Sequence, residues 1–239
     1  PEARLTFHRL KKTIKLGEPM DVSLALHNHS KEDLHYFFPL AANGSQFEIT
    51  GPDGKKLART SFPGSTVLQR ETLKAGQTKV ICRQVDLAHS AFLIAKPGVY
   101  TIRYTGRPTV TAGPDVAPAD PVKITVTPGK LRSVDKLALK LLPHTPKGWQ
   151  FAKRGPRDGG GPTGWRSGAT DVVAFIRSKF NAVLLYQSPE QLKPAPVKSE
   201  QRQAVYLGKG ESGYLYLEYG KAAVELWPTL ESDLRRLLL

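Results

Sequence analysis

Lys96–Gly106, "KPGVYTIRYTG", decides how the first half of the chain is read. Pro97-Gly98 is turn punctuation, and strict alternation follows. Tyr100, Ile102 and Tyr104 share one face, opposite Val99 and Thr101. A period of two with large apolar residues on one side is a half-buried strand. The same grammar runs outward in both directions. "ARLTFHRL" alternates, and "KLGEPMDVSLALHNHS" opens on a Gly-Glu-Pro turn and then aligns Val22, Leu24 and Leu26. "SQFEITGPDGKKLA" is a hairpin with Gly51-Pro52-Asp53-Gly54 as its turn. "LKAGQTKVICRQVDL" gives a turn and a strand, and "DPVKITVTP" ends with Val122, Ile124 and Val126 on one face. Regularly spaced strands with no helix-length periodic segment predict an all-β sandwich over 1–127. "GRPTVTAGPDVAPADP", 106–121, reads as a long loop before the last strand.

The ordered set "LGEPMDVSLALHNHS", "FEITGPDGKKL", "LKAGQTKVICRQVDL" and "KPGVYTIRYTG" resembles bacterial Ig-like sandwiches of the intracellular proteinase inhibitor type. It is also similar to the non-catalytic Ig-like domain preceding some secreted zinc peptidases. The likeness rests on an Asn-containing strand end, an Asp-Gly hairpin, a Leu-x-x-Gly step and a Pro-Gly-x-Tyr strand, and it covers 1–127. It implies a fold. It also implies an alternative function as a peptidase inhibitor, acting through a protruding loop such as "RTSFPGST", and no inhibitory residue is carried over.

After Pro128-Gly129 the pattern changes. "LRSVDKLALKLL" places Leu131, Val134, Ala138, Leu141 and Leu142 on one helical face, and Pro143 ends it. "WQFAK", "DVVAFIR", "NAVLLYQ", "QAVYLG" and "YLYLEY" read as strands. "SPEQLK" starts a short helix with Ser188 as N-cap, and "PTLESDLRRLLL" closes the chain with another. Residues 130–239 therefore read as a small α+β domain with a mostly antiparallel sheet. No family is recognised there. The expected fold is thus an Ig-like sandwich followed by an α+β domain.

The chain of 239 residues carries 35 basic and 21 acidic residues, a net charge of +14. The excess is +6 in 1–129, from 17 basic and 11 acidic residues, and +8 in 130–239, from 18 and 10. A field of that sign on both halves favours anionic partners. One cysteine, Cys82, excludes an internal disulfide, a four-cysteine zinc site and CxxC redox chemistry. No apolar run is long enough for a membrane span. The chain starts at Pro1 and its only methionine is Met20. A removed N-terminal segment is expected, and with it an extracytoplasmic location: periplasmic, secreted or lipid-anchored.

Motifs for chemistry are sparse. HExxH, G-x-S-x-G and the phosphate-binding G-x4-G-K-[ST] are absent. "GGGPTG", 159–164, fits G-x-G-x-x-G, but Pro162 deletes an amide and a strand pattern follows where a dinucleotide site needs a helix. No cofactor is expected. The flanks of this loop hold Arg154, Arg157, Trp165 and Arg166, a set suited to charge pairing and aromatic stacking with an anionic polymer or a protein. Tyr206, Tyr214 and Tyr216 form a second candidate, an aromatic platform on a sheet face. His27, His29 and His35 are weak candidates for a metal site, since "HNHS" sits where a strand ends and turns.

The expectation is a non-enzymatic binding or accessory protein. Its partner is a protein or an anionic cell-surface polymer; nucleic acid fits the charge but is not favoured. The rival is a hydrolase-like enzyme with its site in the second half.

Overall fold

The computed structural model describes residues 2–39, 44, 46–60, 68–154, 172–178, 181–186, 201–207 and 213–219. In chain order the elements are β1 (Ala3–His8), β2 (Thr13–Lys15), β3 (Asp21–Asn28), β4 (Leu34–Pro39), β5 (Phe47–Thr50), β6 (Leu68–Leu73), β7 (Thr78–Asp86) and α1 (Leu87–Ser90). β8 (Gly98–Tyr104), β9 (Thr109–Ala112), β10 (Val116–Ala117), β11 (Val122–Thr127) and α2 (Ser133–Leu141) follow, with a 3-10 turn at Leu142–His144. β12 (Gln150–Arg154), β13 (Val172–Ser178), β14 (Asn181–Tyr186), β15 (Gln201–Leu207) and β16 (Gly213–Tyr219) complete them. The chain divides into two compact units: residues 1–59 with 65–131, and residues 60–64 with 132–239.

The first unit holds three sheets, ordered β10-β1-β3-β7, β2-β11-β8-β5 and β6-β4-β9. All three contribute to one core. Leu5, Leu24 and Leu26 come from the first sheet, Ile49, Tyr100, Ile102, Ile124 and Val126 from the second, and Leu34, Tyr36 and Phe38 from the third. The alternation seen in the sequence is what fills this core: Tyr100, Ile102 and Tyr104 of β8 are buried, and Val99 on the other face is 48% exposed. The Gly51–Gly54 hairpin forms as read. Gly54 takes a left-handed φ of +75° and its amide donates to the Gly51 carbonyl at 3.0 Å.

The strand-ending "HNHS" has a physical cause. Asn28 is fully buried, and its amide nitrogen donates to the Glu32 and Leu73 carbonyls at 2.8 and 3.1 Å. Its oxygen accepts from the Ser30 amide at 3.1 Å and the Ser30 hydroxyl at 2.7 Å. A side chain that supplies the turn's own hydrogen bonds ends the strand there.

The expected fold class does not hold. The described residues form a mostly β protein with several mixed and antiparallel sheets and few helices, not an Ig-like sandwich followed by an α+β domain. Two features separate the first unit from that expectation. The short edge strands β10 and β2 pair parallel to β1 and β11. The proline-rich 106–121 stretch is not a plain loop, because Thr109–Ala112 pairs with β4 and Val116–Ala117 with β1. Alternation tells which face of a strand is buried but not which neighbour it meets or in what direction.

In the second unit the described residues are dominated by one five-stranded antiparallel sheet, β12-β13-β14-β16-β15. The helix read over 131–142 forms as Ser133–Leu141, burying Val134, Leu137, Ala138 and Leu141. The helices read at 188–193 and 228–239 lie outside the described residues. Lys153 is 0% exposed, and its Nζ donates to Asp135 Oδ1 at 2.7 Å. The Arg132 guanidinium closes on the same carboxylate through Nε at 2.8 Å and Nη2 at 3.1 Å. The Lys153 amide donates to the Thr60 carbonyl, which ties residue 60 into this unit.

Candidate functional site

The residues singled out around the glycine loop lie mostly outside the described residues: Arg157, Gly159–Gly164, Trp165 and Arg166 all do. Arg154 is the last residue of β12, paired with Val172 of β13. Tyr206 pairs with Tyr214 across β15 and β16, and Tyr216 lies two residues further, opposite Ala204. The register therefore puts the three tyrosine positions together on one patch of the sheet. It does not bring them near Arg154, because β12 and β15 are the two opposite edges of the sheet, roughly 19 Å apart at the usual strand spacing. Position 218 falls in one row with Arg202, Val183, Phe175 and Phe151. Phe175 and Phe151 are buried at that row's far end, edge to face at 5.8 Å.

The histidines separate. His27 and His29 stack with ring centroids 5.7 Å apart and planes 6° from parallel. His27 is held by two hydroxyls, Thr6 Oγ1 at 2.7 Å from Nε2 and Thr78 Oγ1 at 2.9 Å from Nδ1. Both hydroxyls can donate or accept, so a neutral imidazole satisfies the pair. Burial, then the charges of His29, Arg4 and His8, hold the His27 ring below the usual histidine range. His35 belongs to β4, on another sheet, and its Nδ1 meets Thr72 Oγ1 at 2.9 Å. Among the described residues no three His, Cys, Asp or Glu side chains come together to hold a metal.

What the structure does assemble is a groove of about 900 Å³ on the outer side of the first sheet. His8, Arg9 and Lys11, from the end of β1 and its connection to β2, make one wall. Glu18, Pro19 and Asp21, from the β2–β3 turn and the start of β3, make the opposite wall. Ser23 of β3 and Val80 and Gln84 of β7 complete the lining. Lys11 Nζ reaches Glu18 Oε2 across the walls at 3.4 Å, between largely exposed side chains. The Lys15 amide, and beside it Lys11, hold the Glu18 carboxyl below its ordinary range.

Two backbone features shape this groove. Arg9 and Gln84 adopt left-handed φ angles of +49° and +48°, and they are the non-glycine residues with positive φ among the described residues. Such a conformation costs about 1–3 kcal/mol at a non-glycine residue. Both line the groove. Gln84 sits where β7 bulges against β3, between the Val22–Val85 and Leu24–Cys82 pairs, and its amide donates to Ser23 Oγ at 3.0 Å. Bulges re-aim side chains, and here the bulge turns Gln84 toward the lining.

The acidic wall is fixed from behind. Asp86, at the N-cap of α1, accepts from the Met20 and His89 amides at 3.1 Å each. His89 Nδ1 lies 2.9 Å from Asp86 Oδ2, and Nε2 donates to the Gly17 carbonyl at 3.1 Å. The Leu87 amide donates to the Met20 carbonyl at 3.0 Å. Burial works against the Asp86 charge, but the His89 side chain and the two amides outweigh it and keep the carboxyl below its ordinary range.

None of the groove residues was a candidate on sequence. The signals present were the basic run "HRLKK" and the turn "GEP" that begins five residues after it ends, but only a sheet pairing β1, β3 and β7 brings them to one groove.

No protein-family model and no curated protein matches the chain. Among solved structures it is similar to Spo0M, a sporulation control protein from Bacillus subtilis, at 9% identity over 99% of each chain with a TM-score of 0.26, a likeness too low to carry an argument.

Proposed function

We propose that this is a non-enzymatic binding protein, and that the groove of the first unit takes a segment of a partner protein. The observation that carries this reading is the opposition of charge across the groove. His8, Arg9 and Lys11 line it together with Glu18 and Asp21, and Pro19, Ser23, Val80 and Gln84 complete the lining. A polyanion would be drawn to the first wall and repelled by the second. A polypeptide segment with an acidic side chain on one side and a basic one on the other is complementary to both. About 900 Å³ lies at the upper end of the range for compact ligand sites and accommodates several residues of peptide. Between the two partners considered on sequence, the groove therefore favours the protein over the anionic polymer. Backbone strain concentrated at the lining is the usual company of a binding site rather than of a passive sheet surface.

The reading is tested with a displayed random-peptide library selected on the protein. Selected peptides are expected to pair acidic and basic residues. Their binding should be lost in the charge-reversed variant Arg9→Glu/Asp21→Lys. Peptides of a single charge sign that bind this variant unchanged would overturn the groove as the site.

A further inference from the structure

A second surface of the first unit has a chemistry of its own. The sheet β2-β11-β8-β5 buries Ile14, Ile124, Val126, Tyr100, Ile102, Phe47 and Ile49 on its inner side. Alternation therefore puts Thr13 and Lys15, Lys123 and Thr125, Val99, Thr101 and Arg103 on its outer side. Lys15, Lys123, Arg103 and both flanking threonines of β2 and β11 are exposed, and Val99 stands 48% exposed in the middle. The acid on this side, Glu48, stands opposite Arg103 in the β5–β8 ladder, and its carboxylate accepts from Lys56 Nζ at 3.0 Å. Among the described residues no ion pair reaches Arg103 or Lys123. Glu18, beside Lys15, accepts from the Lys15 amide at 3.0 Å and from Lys11 Nζ at 3.4 Å.

We propose that this face docks on an anionic lipid bilayer. Its cations are spread over a sheet surface rather than lined along a cleft. Lys15 and Lys123 are separated along β11 by the span of Lys123–Thr127, roughly 13 Å, and Arg103 is a diagonal neighbour of Lys123. A plane of charged headgroups can meet all three at once, while a single anionic chain would follow a groove. Short threonines between the cations let the backbone come close, and Val99 enters the interface at the centre. Each lysine or arginine held near such a surface contributes on the order of a fivefold gain in affinity, so three give on the order of a hundredfold. The groove lies on the first sheet and meets this face at Glu18, whose carboxylate accepts from the Lys15 amide at 3.0 Å.

The test is co-sedimentation of the full chain at low salt with vesicles of equal parts phosphatidylglycerol and phosphatidylcholine, against vesicles of phosphatidylcholine alone. Binding is expected only with the anionic lipid and should weaken as salt rises. Lys15→Gln/Arg103→Gln/Lys123→Gln should lose about a hundredfold. The charge-matched Lys31→Gln/Lys136→Gln/Lys140→Gln should lose only a few-fold, as an effect of net charge. Thermal midpoints of both variants close to wild type keep the comparison interpretable, and Lys123→Gln with Arg103→Gln alone serves if the triple variant is unstable. Equal losses in the two variants, no binding to anionic vesicles, or binding to soluble heparin without binding to vesicles would each overturn the proposal.

Discussion

Lys153 and Asp135 form an ion pair of 2.7 Å inside the second unit, the lysine fully buried and the carboxylate nearly so. Arg132 shares the same carboxylate. Removing one partner of such a pair strands the other in a poor solvent, at a cost of about 3–5 kcal/mol. Asp135→Leu, which takes the carboxylate away from the fully buried Lys153 ammonium, is therefore expected to destabilise the protein by an amount of that order in urea unfolding. Asp135→Leu combined with Lys153→Met should cost less than Asp135→Leu alone, because the buried ammonium is then gone as well. A double variant no better than the single one would show that the pair is not the unit of stability.

Acid should act through Asp135 and Asp86. Burial opposes the charge on each, and its partners outweigh it: Lys153 and Arg132 at Asp135, the His89 side chain and the His89 and Met20 amides at Asp86. Both folded carboxyls sit below the ordinary value of about 3.9 that the unfolded chain shows. The stability they contribute is complete above that value and is lost as the pH falls through their lower folded values. Thermal midpoints measured from pH 5 down to pH 2 should drop for wild type and drop less for Asp86→Asn. Parallel curves for the two proteins would contradict the role given to Asp86.

His27 works in the opposite range. Its folded ring is held below the usual histidine value, so protonation is easier in the unfolded chain. The stability that this neutral ring contributes is present above pH ~6.5 and is lost as the pH falls from there through the lower folded value. A proton NMR titration of His27 should give a midpoint below that of an exposed histidine. A midpoint at or above the ordinary value would mean the Thr6 and Thr78 contacts do not exclude the charged form.

Burial pushes the Cys82 thiol up to about 11. Thiolate is the reactive form, so the native protein should resist iodoacetamide at pH 8 and label rapidly in urea. Fast labelling without denaturant would place Cys82 in a more open environment than the β3–β7 ladder provides.

Arg9 pairs strain with position. With φ at +49° it adopts a conformation that glycine takes freely. Arg9→Gly should leave the fold intact and raise stability by up to about 1 kcal/mol, while weakening any peptide selected on the groove. Lower stability with unchanged binding would remove Arg9 from the site.

The sequence shows the local pieces well because their causes are local. Gly54 closes the hairpin, Asn28 ends β3, and the alternation of Tyr100, Ile102 and Tyr104 sets the buried face of β8. What it does not show depends on contacts far apart in the chain. Val116 meets Ala3, Thr125 meets Thr13, and Lys153 meets Thr60, and no periodicity announces such partners. The groove was hidden for the same reason. Its charged residues are unremarkable one by one, and the left-handed backbone at Arg9 and Gln84 has no glycine to mark it.

The groove is tested most directly by amide NMR of the protein with a peptide selected from the displayed library. The account predicts that the amides of His8, Arg9, Glu18, Asp21, Ser23 and Gln84 shift on binding, and that Arg9→Glu/Asp21→Lys abolishes the shifts. Shifts confined to other surfaces, with those six amides unmoved at saturation, would contradict it.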